Sequence, residues 1–202
     1  KDIFNNGILT NNGKYHGLFS KSLILNLNIQ DIVLTSNCTA ALRTILAVHN
    51  FDESRNEIIV PSFTFVATVS SIIACGYKPV FADVLISDGT IDVNSVKRLI
   101  NSNTFAIFGV HCYGNPCDHY SLNELSKENN IYLFYDSAHA FGVVKDNQSI
   151  LNWGDATALS FHATKIFNTC EGGAIISSNN EIISKSRNYI NHGIDINSKS
   201  RE

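Results

Sequence analysis

Lys165 lies in the segment of this chain that is best suited to covalent chemistry. A strand of small residues, predicted at 156–160, leads into the polar loop that holds this lysine. We expect Phe161, Ile166 and Phe167 to surround the amine and remove water from it, which favours a neutral nucleophile toward a carbonyl group. A solvated loop lysine is the commoner alternative, so the segment alone leaves both interpretations open.

Asp136 is the second candidate group. It ends the apolar strand predicted at 131–135, and a carboxylate in such a place needs a partner. A protonated ring nitrogen is one candidate partner, and a capping hydrogen bond or a surface lysine is the other. His139 follows closely and could hydrogen-bond the same ligand, or only satisfy a loop carbonyl.

A third candidate is the turn Ser36-Asn37-Cys38-Thr39, between a short strand at 32–35 and a helical run at 40–49. A strand, a polar turn and a helix start form the geometry in which backbone N–H groups and the helix dipole bind phosphate. Ordinary capping of the helix by Ser36 or Thr39 explains the same residues. On this segment alone, capping is the favoured interpretation.

Phe63 and Phe65 stand at the start of the next predicted helix, where an aromatic ring could stack on a flat heterocycle. A place in the core is the commoner use of phenylalanine. In open α/β sheets the ligand lies beyond the carboxyl ends of the strands. We therefore expect Asp136, Ser160 and the turns at 36–39 and 62–65 to converge there.

Strands and helices alternate along the whole chain, which predicts one doubly wound α/β domain. The helix at 64–75 is expected to pack through Val66, Val69, Ile72 and Ile73, and residues 3–21 are expected to form an ordered loop. The predicted strands are 32–35, 57–60, 79–83, 105–110, 131–135, 156–160 and 174–177, and the predicted helices are 40–49, 64–75, 92–101, 120–129 and 181–190.

The composition narrows the class of protein. The chain has 202 residues, of which 44% are hydrophobic and 16% are charged, enough to bury a full core. A net charge of −3 with scattered basic residues argues against nucleic acid or a membrane as partner, and no apolar run reaches the roughly 20 residues of a membrane span. We expect a cytoplasmic protein. Because the sequence contains no methionine, we also expect residues to be missing on both sides.

Five cysteines without CxxC spacing suit a reducing compartment better than a disulfide framework. His111, Cys112, Cys117 and His119 crowd one segment and could in principle bind zinc. Adjacent residues at a strand end point to opposite faces, however, and Gly114-Asn115-Pro116 is typical of a turn. We therefore expect no metal.

Five motifs in one order resemble the DegT/DnrJ/EryC1/StrS family of sugar aminotransferases, which depend on pyridoxal 5′-phosphate (PLP). The resemblance runs nearly end to end and implies a large domain of the aspartate aminotransferase fold, type I, with a mostly parallel seven-stranded sheet flanked by helices. The motifs are Ser36-Asn37-Cys38-Thr39-Ala40-Ala41-Leu42, Pro61-Ser62-Phe63-Thr64-Phe65-Val66-Ala67-Thr68, Asp136-Ser137-Ala138-His139-Ala140, Ser160-Phe161-His162-Ala163-Thr164-Lys165 and Glu171-Gly172-Gly173.

The resemblance implies a role for each candidate. Lys165 matches the lysine that bonds to the cofactor aldehyde and then carries a proton to the substrate carbon. Asp136 matches the acid that keeps the pyridine nitrogen protonated. The remaining matches are Phe65 stacked on the ring, His139 near the ring hydroxyl, and a phosphate cradle of Ser160, Cys38 and Thr39. Cys38 stands where the family usually has glycine, which puts the geometry of that loop in question.

The resemblance also implies an activity and partners. The reaction would move nitrogen from glutamate to a keto-deoxy-sugar nucleotide, such as a dTDP- or UDP-4-keto-6-deoxyhexose, for amino-sugar and surface-polysaccharide synthesis. Residues 1–202 would form the large domain, with an N-terminal segment at 1–30, and the smaller C-terminal domain would lie outside this chain. The family implies a homodimer with a shared active site. The alternatives are a pyridoxamine-dependent sugar dehydratase, in which histidine replaces the lysine, and a cofactor-binding regulator without turnover.

Overall fold

The computed structural model describes residues 2–5, 12–49 and 52–193. They form an α/β domain in which seven strands make one mixed sheet and two more make a hairpin. The strands are β1 (Ile32–Thr35), β2 (Glu57–Pro61), β3 (Lys78–Ala82), β4 (Thr104–Val110), β5 (Tyr132–Asp136), β6 (Val144–Lys145), β7 (Gln148–Ser149), β8 (Ala156–Ser160) and β9 (Gly173–Ile176). The helices are α1 (Asp2–Asn5), α2 (Lys14–Leu27), α3 (Cys38–Ala47), α4 (Val66–Ala74), α5 (Val93–Leu99), α6 (His119–Glu128) and α7 (Asn180–Ile190).

The sheet has the order β1-β9-β8-β5-β4-β2-β3. Only β9 runs against its neighbours, pairing antiparallel with both β1 and β8, so the sheet is mostly parallel, as predicted. Val110, Asp136 and Ala158 lie side by side in three adjacent parallel strands. The carboxyl ends of these central strands therefore meet at one edge, where the functional residues were expected.

Alternation along the strands divides the core between the two faces of the sheet. Phe108 and Phe134 face the helices α3, α4 and α7, whereas the neighbouring Ile107 and Leu133 face α5 and α6. Asp136 lies two residues beyond Phe134 and so points toward the face covered by α3 and α4. That face carries the candidate site.

The N-terminal prediction was wrong where the structure describes it. Residues 14–27 form helix α2 rather than a loop, because Leu23 and Leu27 pack against Leu159 and Phe161 at the β1 end of the sheet. Tertiary packing here outweighs the polar composition and the glycine at position 17. Residues 6–11 of the predicted loop lie outside the described residues.

The predicted packing face of α4 was also partly wrong. Val66 is 67% exposed and Ile73 is 59% exposed, and the side chains buried against the sheet are those of Thr68, Ser71 and Ile72. Hydrophobicity alone indicated the wrong face because α4 turns two hydroxyl groups inward.

The β6–β7 hairpin was not predicted. Its two connecting residues, Asp146 and Asn147, both have positive φ, at 51° and 60°. Aspartate and asparagine tolerate this conformation, which a two-residue hairpin turn requires. Among the described residues, no helix has the length and hydropathy needed to cross a bilayer.

Candidate active site

One cavity of about 730 Å³ lies at the carboxyl ends of the central strands. It is lined by residues from α3, α4 and the turns that follow β2, β4, β5 and β8. All seven predicted site residues line it, namely Cys38, Thr39, Phe65, Asp136, His139, Ser160 and Lys165. The tertiary structure thus brings together groups that are up to 127 residues apart in the sequence numbering (165 minus 38).

Asp136 is only 5% exposed and ends β5 in the centre of the sheet. Its carboxylate accepts a hydrogen bond from the Thr68 hydroxyl at 2.7 Å and another from the Ala138 N–H at 3.0 Å. Both donors are neutral. No ion pair to Asp136 occurs among the described residues, so its negative charge lacks a cationic protein partner there.

Thr64 and Thr68 are functional candidates that the sequence analysis did not single out. Thr68 is fully buried, and its hydroxyl lies 3.0 Å from that of Thr64. No pattern in the sequence marks a threonine as the partner of an acid 68 residues later. Only the packing of α4 against β5 reveals the contact.

Lys165 is half-buried at the cavity wall rather than enclosed by aromatic side chains. The expected surroundings were wrong: Ile166 is 90% exposed, and Phe161 and Phe167 pack against Phe19 on the other side of the loop. The lysine instead shares the cavity with polar and charged groups.

Two pKa shifts report the charges in this cavity. Burial raises the pKa of the Cys38 thiol well above its ordinary value, Asp136 raises it further, and Lys165 opposes both. Burial lowers the pKa of His139, Lys165 lowers it further, and Asp136 opposes that change. Lys165 and Asp136 therefore lie close enough to the same two groups to act on both, although they form no ion pair with each other.

The loop that carries Lys165 is held by its own hydrogen bonds. Phe161 N–H donates to Gly172 O and Thr169 N–H donates to Phe161 O, both at 2.9 Å, which closes the base of the loop. His162 Nε2 lies 3.5 Å from Glu171 Oε1 across the same base. The lysine is consequently presented by a preformed loop.

The turn before α3 has the geometry of an anion site. Asn37 caps the helix, since its side chain accepts from Ala40 N–H at 2.8 Å, so the predicted capping by Ser36 or Thr39 was wrong. Capping by Asn37 leaves the N–H groups of Cys38 and Thr39 without a partner inside the helix. Ser160 adds a buried hydroxyl to the same cavity.

Cys38 fits this turn without the usual glycine. Its backbone does not have a positive φ, and its side chain packs against the core from the first position of α3. The close approach occurs at Gly173 instead, where an added Cβ would lie 2.4 Å from Asn37 C and 2.6 Å from Cys38 N. A glycine in β9 thus lets the turn before α3 lie directly on the sheet.

Aromatic rings form the mouth of the cavity. Phe65, the N-cap residue of α4, is 73% exposed, and Phe63 lies 6.4 Å from Tyr113 between ring centroids. Tyr113 stacks on His139 at 5.4 Å and 2°, and its N–H donates to His139 Nδ1 at 3.3 Å. With Nδ1 accepting, the neutral His139 ring carries its proton on Nε2 and can donate to a ligand.

The four residues weighed as zinc ligands do not converge. His111 Nδ1 accepts from Cys117 N–H at 3.1 Å, and Cys117 Sγ donates to Val110 O at 3.2 Å. His119 shares a hydrogen bond with the Tyr135 hydroxyl at 3.0 Å. In residues 12–49 and 52–193 no three ligand side chains come together to hold a metal.

Comparison with known proteins decides the family. The model of the DegT/DnrJ/EryC1/StrS aminotransferase family matches residues 1–202. The chain belongs to this family. A dTDP-4-amino-4,6-dideoxy-D-glucose transaminase from Shigella dysenteriae is 40% identical over 95% of the chain and 51% of its own length. The chain thus spans about half the length of the curated relatives it matches.

Two solved structures have the same architecture as this chain. DesI, determined in the presence of its TDP-sugar product, superposes with a TM-score of 0.90 at 32% identity, over 96% of this chain and 49% of DesI. NtdA from Bacillus subtilis with bound cofactor PMP gives a TM-score of 0.89 at 26% identity, over 100% of this chain and 45% of NtdA. The predicted family and fold are confirmed.

Proposed function

We propose that this chain is the cofactor-binding part of a PLP-dependent sugar aminotransferase. The observation that carries the proposal is the buried Asp136 carboxylate, which faces the cavity that Lys165 also lines and forms no ion pair with Lys165 or any other described residue. Burying an unpaired charge is costly, so a cation belongs in the cavity beside it. A protonated pyridine nitrogen meets that requirement.

The rest of the cavity also fits PLP. The N–H groups at the start of α3 and the Ser160 hydroxyl suit its phosphate, and Phe65 suits the face of its ring. Nε2–H of His139 suits the ring hydroxyl. A volume of about 730 Å³ leaves room for part of a second ligand beside the cofactor.

The proposed roles follow from these positions. PLP supplies, when bound, an aldehyde for the amino group and a pyridine ring that withdraws electrons. Asp136 holds the proton on the ring nitrogen, and the α3 turn anchors the phosphate. Lys165 Nζ acts as the nucleophile and then accepts and returns the proton of the substrate carbon. Its half-buried position in a preformed loop allows both tasks.

The proposed substrates are glutamate, as amino donor, and a nucleotide-linked keto-deoxy sugar, as acceptor. The Shigella relative is named for a 4-amino-4,6-dideoxy sugar on dTDP, and DesI was solved with a TDP-sugar. These names support a dTDP-linked 4-keto-6-deoxyhexose here, with the UDP-linked sugar as the variant to test beside it. The product would serve amino-sugar and surface-polysaccharide synthesis.

The complete protein is proposed to work as a cytoplasmic homodimer with a shared site. Because the relatives are about twice as long as this chain, the proposal assigns a smaller C-terminal domain to the remaining length. That domain and the partner subunit would supply the substrate contacts that the large domain lacks.

A dehydratase is disfavoured by Lys165, because that alternative has histidine at this position. A regulator that binds PLP without turnover is separated from an enzyme by one experiment. We expect glutamate to change the visible absorbance of the PLP-loaded protein, and a dTDP- or UDP-4-keto-6-deoxyhexose to restore it. An unchanged spectrum with saturating glutamate would favour the regulator, and restoration by neither sugar would refute the proposed acceptor.

A further inference from the structure

We propose that Thr68, assisted by Thr64, is a positioning residue that orients the Asp136 carboxylate toward the cofactor. The inference rests on the proposed function for its cofactor, but its geometry is a property of the chain alone. Thr68 lies in the first turn of α4, and its hydroxyl contacts Asp136 Oδ2 at 2.7 Å. Both residues are buried, so water does not compete for this contact.

The direction of the hydrogen bonds follows from the number of protons. An ionised carboxylate only accepts, so the single Thr68 proton points to Asp136. The contact between Thr64 and Thr68 at 3.0 Å is then donated by Thr64, whose hydroxyl lies farther, at 3.4 Å, from its other acceptor, Phe65 O. The two hydroxyls form a chain of hydrogen bonds, or relay, that ends at the Asp136 carboxylate. Each hydrogen bond in such a chain polarises and strengthens the next.

The two donors to Asp136 constrain different oxygens. Ala138 N–H, two residues along the chain, holds Oδ1, and Thr68 on a separate helix holds Oδ2. A local bond alone allows the carboxylate to turn with its own loop. The bond to α4 fixes its plane relative to the sheet, and the remaining lone pairs can face the cavity that Asp136 lines.

Helix α4 also carries Phe65, its N-cap residue and the expected stacking aromatic. Thr64 and Thr68 flank Phe65 in the sequence. One helix start therefore sets both the acid at the ring nitrogen and the aromatic at the ring face. A shift of α4 would displace both contacts together.

The test compares Thr68→Val, which keeps the shape and loses the hydroxyl, with Thr68→Ser, which keeps the hydroxyl. Ser71→Ala is the matched control, because Ser71 is a buried α4 residue whose hydroxyl has no hydrogen-bond partner among the described residues. Two quantities are measured: the carboxyl ¹³C resonance of Asp136 in the cofactor-free protein, and the dissociation constant for added PLP.

We expect Thr68→Val to move the Asp136 resonance and to weaken PLP binding by about tenfold to a hundredfold, the worth of a hydrogen bond to a charged group. Thr68→Ser should restore both quantities. Thr64→Val, which touches only the far end of the relay, should move the resonance in the same direction by less, and it serves as the second variant if Thr68→Val does not fold.

The inference is overturned if Thr68→Val or Thr64→Val leaves the Asp136 resonance where Ser71→Ala leaves it. It is also overturned if the wild-type protein binds PLP and Thr68→Val binds it equally well. Failure of the wild-type protein to bind PLP, with the resonance still responding to Thr68→Val, would instead refute the proposed function and leave the positioning role of Thr68 standing.

Discussion

At the scale of single residues, the site depends on a few side chains of common types. Their position in one cavity distinguishes them from other residues of the same type. Lys165 is one of 15 lysine and arginine residues, and Asp136 is one of 18 acids. What separates them from the others is a shared cavity, in which both act on the pKa values of Cys38 and His139. A common side chain gains a specific role from its neighbours.

Lys165→Ala should abolish transamination while leaving the fold intact. The lysine is half-buried in a loop held by backbone bonds at its base, so removal of its side chain costs little packing. Loss of the only proposed nucleophile should reduce turnover at least about a thousandfold. The measurement is the glutamate half-reaction followed by absorbance, with urea unfolding to confirm the fold.

Lys185→Ala is the control, because Lys185 is exposed on α7 and its ion pair is with Glu181, at 2.7 Å. It should keep wild-type turnover. Substantial activity in Lys165→Ala would remove this lysine from the catalytic role and reopen the regulator hypothesis.

At the scale of elements, the antiparallel strand β9 connects the sheet to the turn before α3, the proposed phosphate site. Gly173 pairs with both Thr35 at the end of β1 and Ser160 at the end of β8. Its missing side chain leaves space for Asn37 and Cys38 at the start of α3. Strand pairing thus decides how close the helix start and Ser160 come to each other.

Gly173→Ala should push the start of α3 away from the sheet. The added Cβ meets backbone atoms, which cannot rotate away, so we expect a loss of about 1–3 kcal/mol in the free energy of unfolding. PLP affinity should fall about tenfold or more through weaker phosphate contacts. Affinity for pyridoxal, which lacks the phosphate, should change much less.

Gly17→Ala is the matched control, because a Cβ at this position in α2 has no atom within 4 Å. It should be neutral or stabilising by up to about 1 kcal/mol. Equal losses of PLP and pyridoxal affinity in Gly173→Ala would argue against a phosphate cradle at this turn.

At the scale of the whole molecule, the two faces of the sheet have different roles. The face with α3 and α4 carries the site, and the opposite face buries an aromatic cluster behind it. There His111 stacks on Tyr135 at 4.5 Å, and His119 stacks on Trp153 at 4.7 Å. This cluster packs behind the carboxyl ends of the central strands. Its buried histidine makes the stability of the fold depend on pH.

His111→Asn should flatten the dependence of stability on pH. Burial, with a smaller effect of His119, lowers the pKa of His111 to about 3. The unfolded chain binds this proton near pH 6.5, so the stabilisation is complete above that pH and is lost as the pH falls toward about 3. The slope should approach about 1.4 kcal/mol per pH unit inside this window.

The measurement is urea unfolding of wild type and His111→Asn at several pH values from about 7.5 down to about 5. Asparagine can still accept from Cys117 N–H, so the variant loses mainly the titration and the stacking. The wild type should lose its advantage over His111→Asn as the pH falls. Parallel curves for wild type and His111→Asn would show that His111 does not couple folding to pH.

Much of this protein could be predicted from its sequence. Apolar runs such as 105–110 are buried on both faces of a parallel sheet, so their position and the alternation with helices determine the fold class. The ordered motifs around Lys165 and Asp136 determine the family, and the carboxyl-end rule predicts that Asp136, Ser160 and the turns at 36–39 and 62–65 meet. These inferences rest on local sequence patterns, which do not depend on how distant segments pack together.

Only the tertiary structure decided helix α2, the buried face of α4 and the surroundings of Lys165. These features depend on contacts between segments that are distant in the sequence. Helix α2 forms because its leucines find a partner near β8, and α4 turns Thr68 rather than Val66 inward because Asp136 lies opposite. The surroundings of Lys165 likewise depend on which side of its loop packs against Phe19 of α2. Hydrophobic periodicity carries no information about a buried hydroxyl whose partner is a carboxylate on another strand.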